Sequence, residues 1–168
     1  YLRGLNTHWT ISGNKLFQRA ARQFAVTPNS VYTGIKVEGD AGTPGENFII
    51  SGNIIGFSSS ASGGLTTIGG ADAGGLLNKI RGIDIINTGL ITPSSIQGNT
   101  IGGFAHTSNY NNPFKAEAAF IGITAGRNGS GKYHIGNITA NTIGSQSSNT
   151  ITLTHGGTIE DQAWAIGI

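Results

Sequence analysis

The chain has no cysteine and no methionine, only 4 prolines, and charged residues at just 11% of its 168 positions. Without cysteine, neither a disulfide framework nor a thiolate metal site can form. Charge well under the usual ~25% removes disorder through charge repulsion. The formal net charge of +2 rests on 10 Lys and Arg against 8 Asp and Glu, and the one dense basic stretch holds Lys15, Arg19 and Arg22. That is too thin a phosphate-neutralising face for nucleic acid, so a solvated loop is expected there. No run of eighteen apolar residues occurs, so no direct membrane insertion is expected.

What the chain has in excess is glycine. Its 28 glycines are about one residue in six, where ~7% is usual. With few prolines and no Gly-X-Y period, collagen is excluded. A polar surface must then come from Ser, Thr, Asn and Gly.

Two phrases recur and interleave. One reads Ile11-Ser12-Gly13-Asn14, Ile50-Ser51-Gly52-Asn53, Ile96-Gln97-Gly98-Asn99 and Ile138-Thr139-Ala140-Asn141, each followed two places after its Asn by Leu16, Ile55, Ile101 or Ile143. The other reads Gly34-Ile35-Lys36-Val37, Gly82-Ile83-Asp84-Ile85, Gly122-Ile123-Thr124-Ala125 and the final Gly167-Ile168. From each such Gly to the next repeated Asn the count is 19, 17 and 19; from Asn forward to the next Gly it is 20, 29, 23 and 26. A rigid segment thus alternates with an elastic one, and length variation is confined to one surface connection. A repeat of this kind cannot bury its own apolar face and must pack on copies of itself.

Alternation in Gly-Ile-x-Ile puts Ile35, Ile83, Ile123 and Ile168 on one face and Lys36, Asp84 and Thr124 on the other. In Ile-x-Gly-Asn-x-Ile, Gly-Asn has the chemistry of a tight bend. Three short strands per repeat, with the Asn bend between the second and third, predict an all-β fold: a right-handed, single-stranded parallel β-helix of about four coils with long loops, spanning 1–168 as one domain. Asn14, Asn53, Asn99 and Asn141 are expected to form a hydrogen-bonded ladder. The segments 58–75, 106–113 and 145–157 read as loops, and 16–24, though its residues are helix-compatible, reads as strand because it takes the place of the third strand and loop of other repeats. Because the chain opens inside the pattern and stops as another Gly-Ile unit begins, it is expected to be a fragment of a longer repeat protein, with targeting signals outside it.

These residues, together with Asn141-Thr142-Ile143-Gly144-Ser145 leading through Ser148 to Leu153 into a Gly-Thr loop, resemble the parallel β-helix repeats of giant Bacteroidota cell-surface proteins. Those include the gliding-motility adhesins exported by the type IX secretion system. The resemblance implies an extracellular, cell-surface stalk or adhesive segment. Its implied partners are surface polysaccharide or other extracellular surfaces, and the secretion or motility machinery of the parent protein.

Rival chemistries are weaker. Gly126-Arg127-Asn128-Gly129-Ser130-Gly131-Lys132 matches a phosphate-binding loop until Tyr133 replaces the required Ser or Thr, and strand-like residues follow where a helix is needed. A carbohydrate-active β-helix, of which this would be a non-catalytic part, needs converging carboxylates in its catalytic coils. Only Asp84 sits on a regular strand here, where a cross-rung pair with Lys36 is the plain reading. Glu38 and Asp40 could offer a loop cation site. His8, His106, His134 and His155 show no ligand spacing and read as surface or turn residues. Trp9 and Trp164 read as core or cap, and Tyr110 as the best exposed aromatic. A flat threonine array for binding ice is not supported by Lys36, Asp84 and Thr124. No catalytic, cofactor or metal residue is assigned, and the chain is not expected to be an enzyme.

Overall fold

The structure is a computed structural model that describes residues 1–3, 7–23, 30–39, 45–69, 78–86, 88–89, 91–108, 118–126, 131–144, 150–155 and 165–166. Among them every regular element is a β-strand. The strands come in rounds of four. The first round is β1 (Leu2–Arg3), β2 (Thr10–Ser12), β3 (Lys15–Leu16) and β4 (Arg22–Gln23). The second is β5 (Val31–Glu38), β6 (Ile49–Ser51), β7 (Ile54–Gly56) and β8 (Thr66–Gly69). The third is β9 (Lys79–Ile86), β10 (Ser94–Gln97), β11 (Thr100–Gly102) and β12 (Phe104–Ser108). The fourth is β13 (Phe120–Ala125), β14 (Tyr133–Ile135), β15 (Thr142–Ile143) and β16 (Ile151–His155), after which β17 (Ala165–Ile166) begins again.

Each strand pairs in parallel with the strand four places later, giving four sheets ordered β1-β5-β9-β13-β17, β2-β6-β10-β14, β3-β7-β11-β15 and β4-β8-β12-β16. The registers bring equivalent residues together. Ile11, Ile50, Ile96 and Ile135 share one column, and Leu16, Ile55, Ile101 and Ile143 another. Ile35, Ile83 and Ile123 form a third; Ile168 lies outside the described residues. Ile50, Ile55, Ile83, Ile96 and Ile101 are fully buried, at about 1.5–3 kcal/mol each. Phe104 anchors the centre, meeting Tyr32 edge-on at 6.1 Å and Phe120 at 6.0 Å between ring centroids.

The recurring glycine of Gly-Ile has a steric cause. Ile80, Ile83 and Ile85 all belong to the hydrophobic core, a spacing of three and then two that a regular strand cannot supply, because its side chains alternate faces. The phase is absorbed at Gly82, where the pairing register steps from Arg81 to Ile83. A Cβ at Gly82 would stand 2.5 Å from Gly122 O, and one at Gly34 would stand 2.7 Å from Gly82 O. Neighbouring rounds pass too closely there for any side chain.

Two expectations are corrected. Each round has four strands rather than three: Thr66–Gly69, Phe104–Ser108 and Ile151–His155 form a further sheet within or beside segments read as loops. Their inward column, Ile68, His106 and Leu153, includes a histidine, and that hid the alternation. The fourth Asn phrase is also shifted. Ile135, not Ile138, takes the inward column, and Ile138 is 83% exposed.

This packing predicts a sharp contrast in urea unfolding. Ile83→Ala should cost about 2–5 kcal/mol through lost burial and an unfilled cavity. Ile138→Ala should stay within about 0.5 kcal/mol. Similar losses at both positions would contradict the core described.

Candidate functional site

The structure's most ordered polar feature is the file of repeated asparagines. At the first three bends the residue before Asn has a positive φ, 66° at Gly13, 63° at Gly52 and 61° at Gly98, and in the fourth round the positive φ, 63°, falls at Gly136 just after Ile135, a left-handed conformation that glycine adopts without a Cβ penalty. The bend turns each Asn amide along the sheet direction. Asn14 donates from its main-chain N and from Nδ2 to Asn53 Oδ1, both at 3.0 Å. Asn53 does the same to Asn99 Oδ1 at 3.0 and 2.9 Å, and Asn99 to Asn141 Oδ1 at 2.9 Å for both. The second Nδ2 hydrogen reaches back to the preceding round: Asn53 to Ile11 O at 2.8 Å, Asn99 to Ile50 O at 2.9 Å and Asn141 to Ile96 O at 2.8 Å. Asn53 and Asn99 are wholly buried, and these bonds satisfy both faces of each amide.

Gln97 is a structural residue that sequence reasoning passed over. The fourth phrase carries three extra residues between its inward Ile135 and Asn141, and they bulge outward. Gln97 braces them. Its Oε1 accepts from Ile138 N at 3.2 Å and Thr139 N at 3.1 Å, while its Nε2 donates to His134 O at 2.9 Å and Asn137 Oδ1 at 2.6 Å. The signal was present: Gln stands where the two earlier phrases have Ser12 and Ser51.

His106 is not a surface histidine. It sits on the inner face of β12 at 1% exposure, placed there by the alternation Phe104-x-His106-x-Ser108. Its Nδ1 and Nε2 each face a main-chain carbonyl at 3.2 Å, from Ile68 and Asn78. Burial pushes its pKa below the usual histidine range, against the pull of those two carbonyls. Ser108 Oγ also donates to Asn78 O at 2.7 Å.

On the outward side of the first sheet, Lys36, Asp84 and Thr124 do share a column. Lys36 nevertheless pairs within its own strand, with Glu38 Oε2 at 2.9 Å, and lies 4.9 Å over the Tyr1 ring. The expected Lys36–Asp84 pair is corrected accordingly, and Asp84 is buried at 3% exposure. Arg81, equally buried, donates from one guanidinium nitrogen to Ile80 O and Ala118 O.

Among the described residues, no three His, Asp or Glu side chains are grouped so that they could hold a metal ion. Asp40, Asp72, Tyr110, Glu117, Glu160, Asp161 and Trp164 lie outside the described residues. So does the middle of the Gly126–Lys132 stretch, which leads into strand β14. Trp9, expected in the core or a cap, is 48% exposed. Tyr133 instead packs against the core. Lys15 donates to Ser60 O at 2.8 Å and Arg19 lies 6.0 Å over the Phe17 ring, so the basic stretch is spent on local contacts. Comparison with protein-family models, curated proteins and solved structures returns no match to this chain.

Two predictions follow from the buried polar groups. Asn53→Val strands Asn14 N and Ile11 O, while Asn99 Oδ1 keeps the main-chain N of position 53. At about 1–3 kcal/mol per unsatisfied buried group, chemical denaturation should show a loss of at least ~2 kcal/mol, and an unchanged midpoint would contradict the ladder's role. His106 binds a proton more readily in the unfolded chain than in the folded one. Its contribution is therefore complete above the unfolded pKa of ~6.5 and falls as pH drops below it, by at most about 1.4 kcal/mol per pH unit. His106→Gln should flatten that slope in a pH series of urea melts.

Proposed function

We propose that the four parallel sheets wind as one right-handed, single-stranded parallel β-helix. In this reading the segment serves as a structural and adhesive repeat of a large secreted bacterial cell-surface protein. The observation that carries it is the unbroken translation of one round onto the next: each strand pairs four places on, and the Asn file runs through every round from Asn14 to Asn141. Such a stack gains about 4.8 Å of reach per round with a core made of nearest-neighbour contacts alone. Length can be added without redesigning the interior. Connections of varying length then offer a changeable outer surface for polysaccharide or another extracellular surface, as the resemblance to Bacteroidota adhesin repeats implies.

Antibodies raised against the chain should label intact cells that make it. The purified chain should also be retained on immobilised surface polysaccharide without releasing unsaturated or reducing sugar. Labelling only after permeabilisation would overturn the surface role. Release of sugar products would replace it with a carbohydrate-active one.

A further inference from the structure

Asn137-Ile138-Thr139 is an Asn-x-Thr triplet whose middle residue is not proline, the acceptor pattern for a sugar on an asparagine amide. Asn128-Gly129-Ser130 has the same pattern but lies outside the described residues. The ladder asparagines do not match it, because the second residue after each is Leu16, Ile55, Ile101 or Ile143. The Asn137 triplet falls inside the bulge of the fourth round. Five residues, Gly136 to Ala140, separate the inward Ile135 from Asn141, where the earlier phrases have two. Ile135 and Asn141 both keep their columns, so the added length has to leave the core.

The bulge turns the reactive and recognised groups of the triplet toward solvent. Asn137, Ile138 and Thr139 are all exposed, Ile138 most of all. Gln97 grips the other side: its Oε1 takes the main-chain N of Ile138 and of Thr139, and its Nε2 holds Asn137 Oδ1 at 2.6 Å. Thr139 O accepts from Gly98 N at 2.9 Å. These bonds use the main-chain groups and the amide oxygen. Asn137 Nδ2 and the Thr139 hydroxyl are left without a partner among the described residues. The ladder amides are the opposite case. Asn53 and Asn99 are wholly buried and both Nδ2 hydrogens of each are bonded, so no enzyme reaches them in the folded chain.

We propose that Asn137 is a glycosylation site, with sugar carried on Nδ2 and the Thr139 hydroxyl as the group that the transferase recognises. In the transfer, Nδ2 attacks the anomeric carbon of a sugar held as a phosphate or pyrophosphate ester. The bond from that carbon to the phosphate oxygen breaks as the carbon–nitrogen bond forms; the phosphate leaves with the electron pair, and one Nδ2 proton passes to a base of the transferase. Nothing is oxidised or reduced. A nucleotide-linked sugar and a lipid-linked oligosaccharide both supply such a carbon. The bulge lies outside the apolar columns and the Asn file, so a glycan there extends from a braced mount without disturbing either. The inference stands on the triplet and its exposure and is independent of the cell-surface role.

The test is mass spectrometry of tryptic peptides from the protein isolated from the cells that make it. Trypsin cuts after Arg127 and Lys132, so Asn128 travels on the peptide 128–132 and Asn137 on the peptide that begins at Tyr133. The Tyr133 peptide should be heavier by whole sugar residues. Asn137→Gln and Thr139→Ala, each made in the same cells, should lose that mass completely, whereas Thr139→Ser keeps the hydroxyl and should keep it. Added mass that steps up one sugar at a time points to a nucleotide-linked donor, and one fixed oligosaccharide mass to a lipid-linked donor; either supports the site. A Tyr133 peptide of unmodified mass would overturn the proposal. So would sugar mass that survives Asn137→Gln, which would place the sugar on another residue, the Thr139 hydroxyl if Thr139→Ala and Thr139→Ser part as before.

Discussion

A side-chain amide that bonds to its own counterpart in the next round sets the phase of this molecule. Each interior Asn is held on both sides, by the Oδ1 ahead and by an isoleucine carbonyl behind, so it cannot slide along its neighbour. That matters because a slip of one residue in a parallel sheet sends every side chain to the opposite face. With the bend pinned, Ile50 and Ile96 before it and Ile55 and Ile101 after it have no choice but to enter the core. The hydrophobic columns supply most of the stabilisation, and the amides decide which residues form them.

The same constraint explains where the chain tolerates irregularity. Three extra residues in the fourth round leave Asn141 in its file, because Gln97 satisfies the main-chain groups that the bulge would otherwise orphan. The interior of the fourth sheet accepts His106 and Ser108 beside Phe104 because both polar side chains find main-chain carbonyls. A buried polar group with its partners costs little, whereas one without them is expensive. The glycine of Gly-Ile answers a different demand: the main chains of adjacent rounds approach there more closely than a Cβ would allow. An architecture that repeats by translation can gain rounds without a new interior, which suits the proposed stalk.

The repeated phrases made the strands around Ile35, Ile83 and Ile123 and around Ile50, Ile55, Ile96 and Ile101 legible, since their alternation and fixed spacing depend on local geometry alone. The fourth sheet was not legible in the same way. Its inward positions include a histidine and a serine, and their burial depends on carbonyls supplied by Ile68 and Asn78, 38 and 28 residues away from His106. The slip from Ile138 to Ile135 escaped notice for a related reason. Both are isoleucines near Gly and Asn, and only the brace from Gln97, 41 residues before Ile138, chooses between them. The partner of Lys36 was likewise undecidable from register, because Asp84 and Glu38 both lie within reach of its long side chain and packing over Tyr1 favours Glu38.

By itself the sequence determined that strands recur, where they bend and which asparagines mark the bends, because φ preference and face alternation are properties of neighbours along the chain. Only the tertiary structure decided the number of sheets, the inward residue of the last phrase and the burial of Asp84, Arg81 and His106. Those outcomes turn on hydrogen-bond partners and covering surfaces brought from other rounds, and no local pattern encodes them.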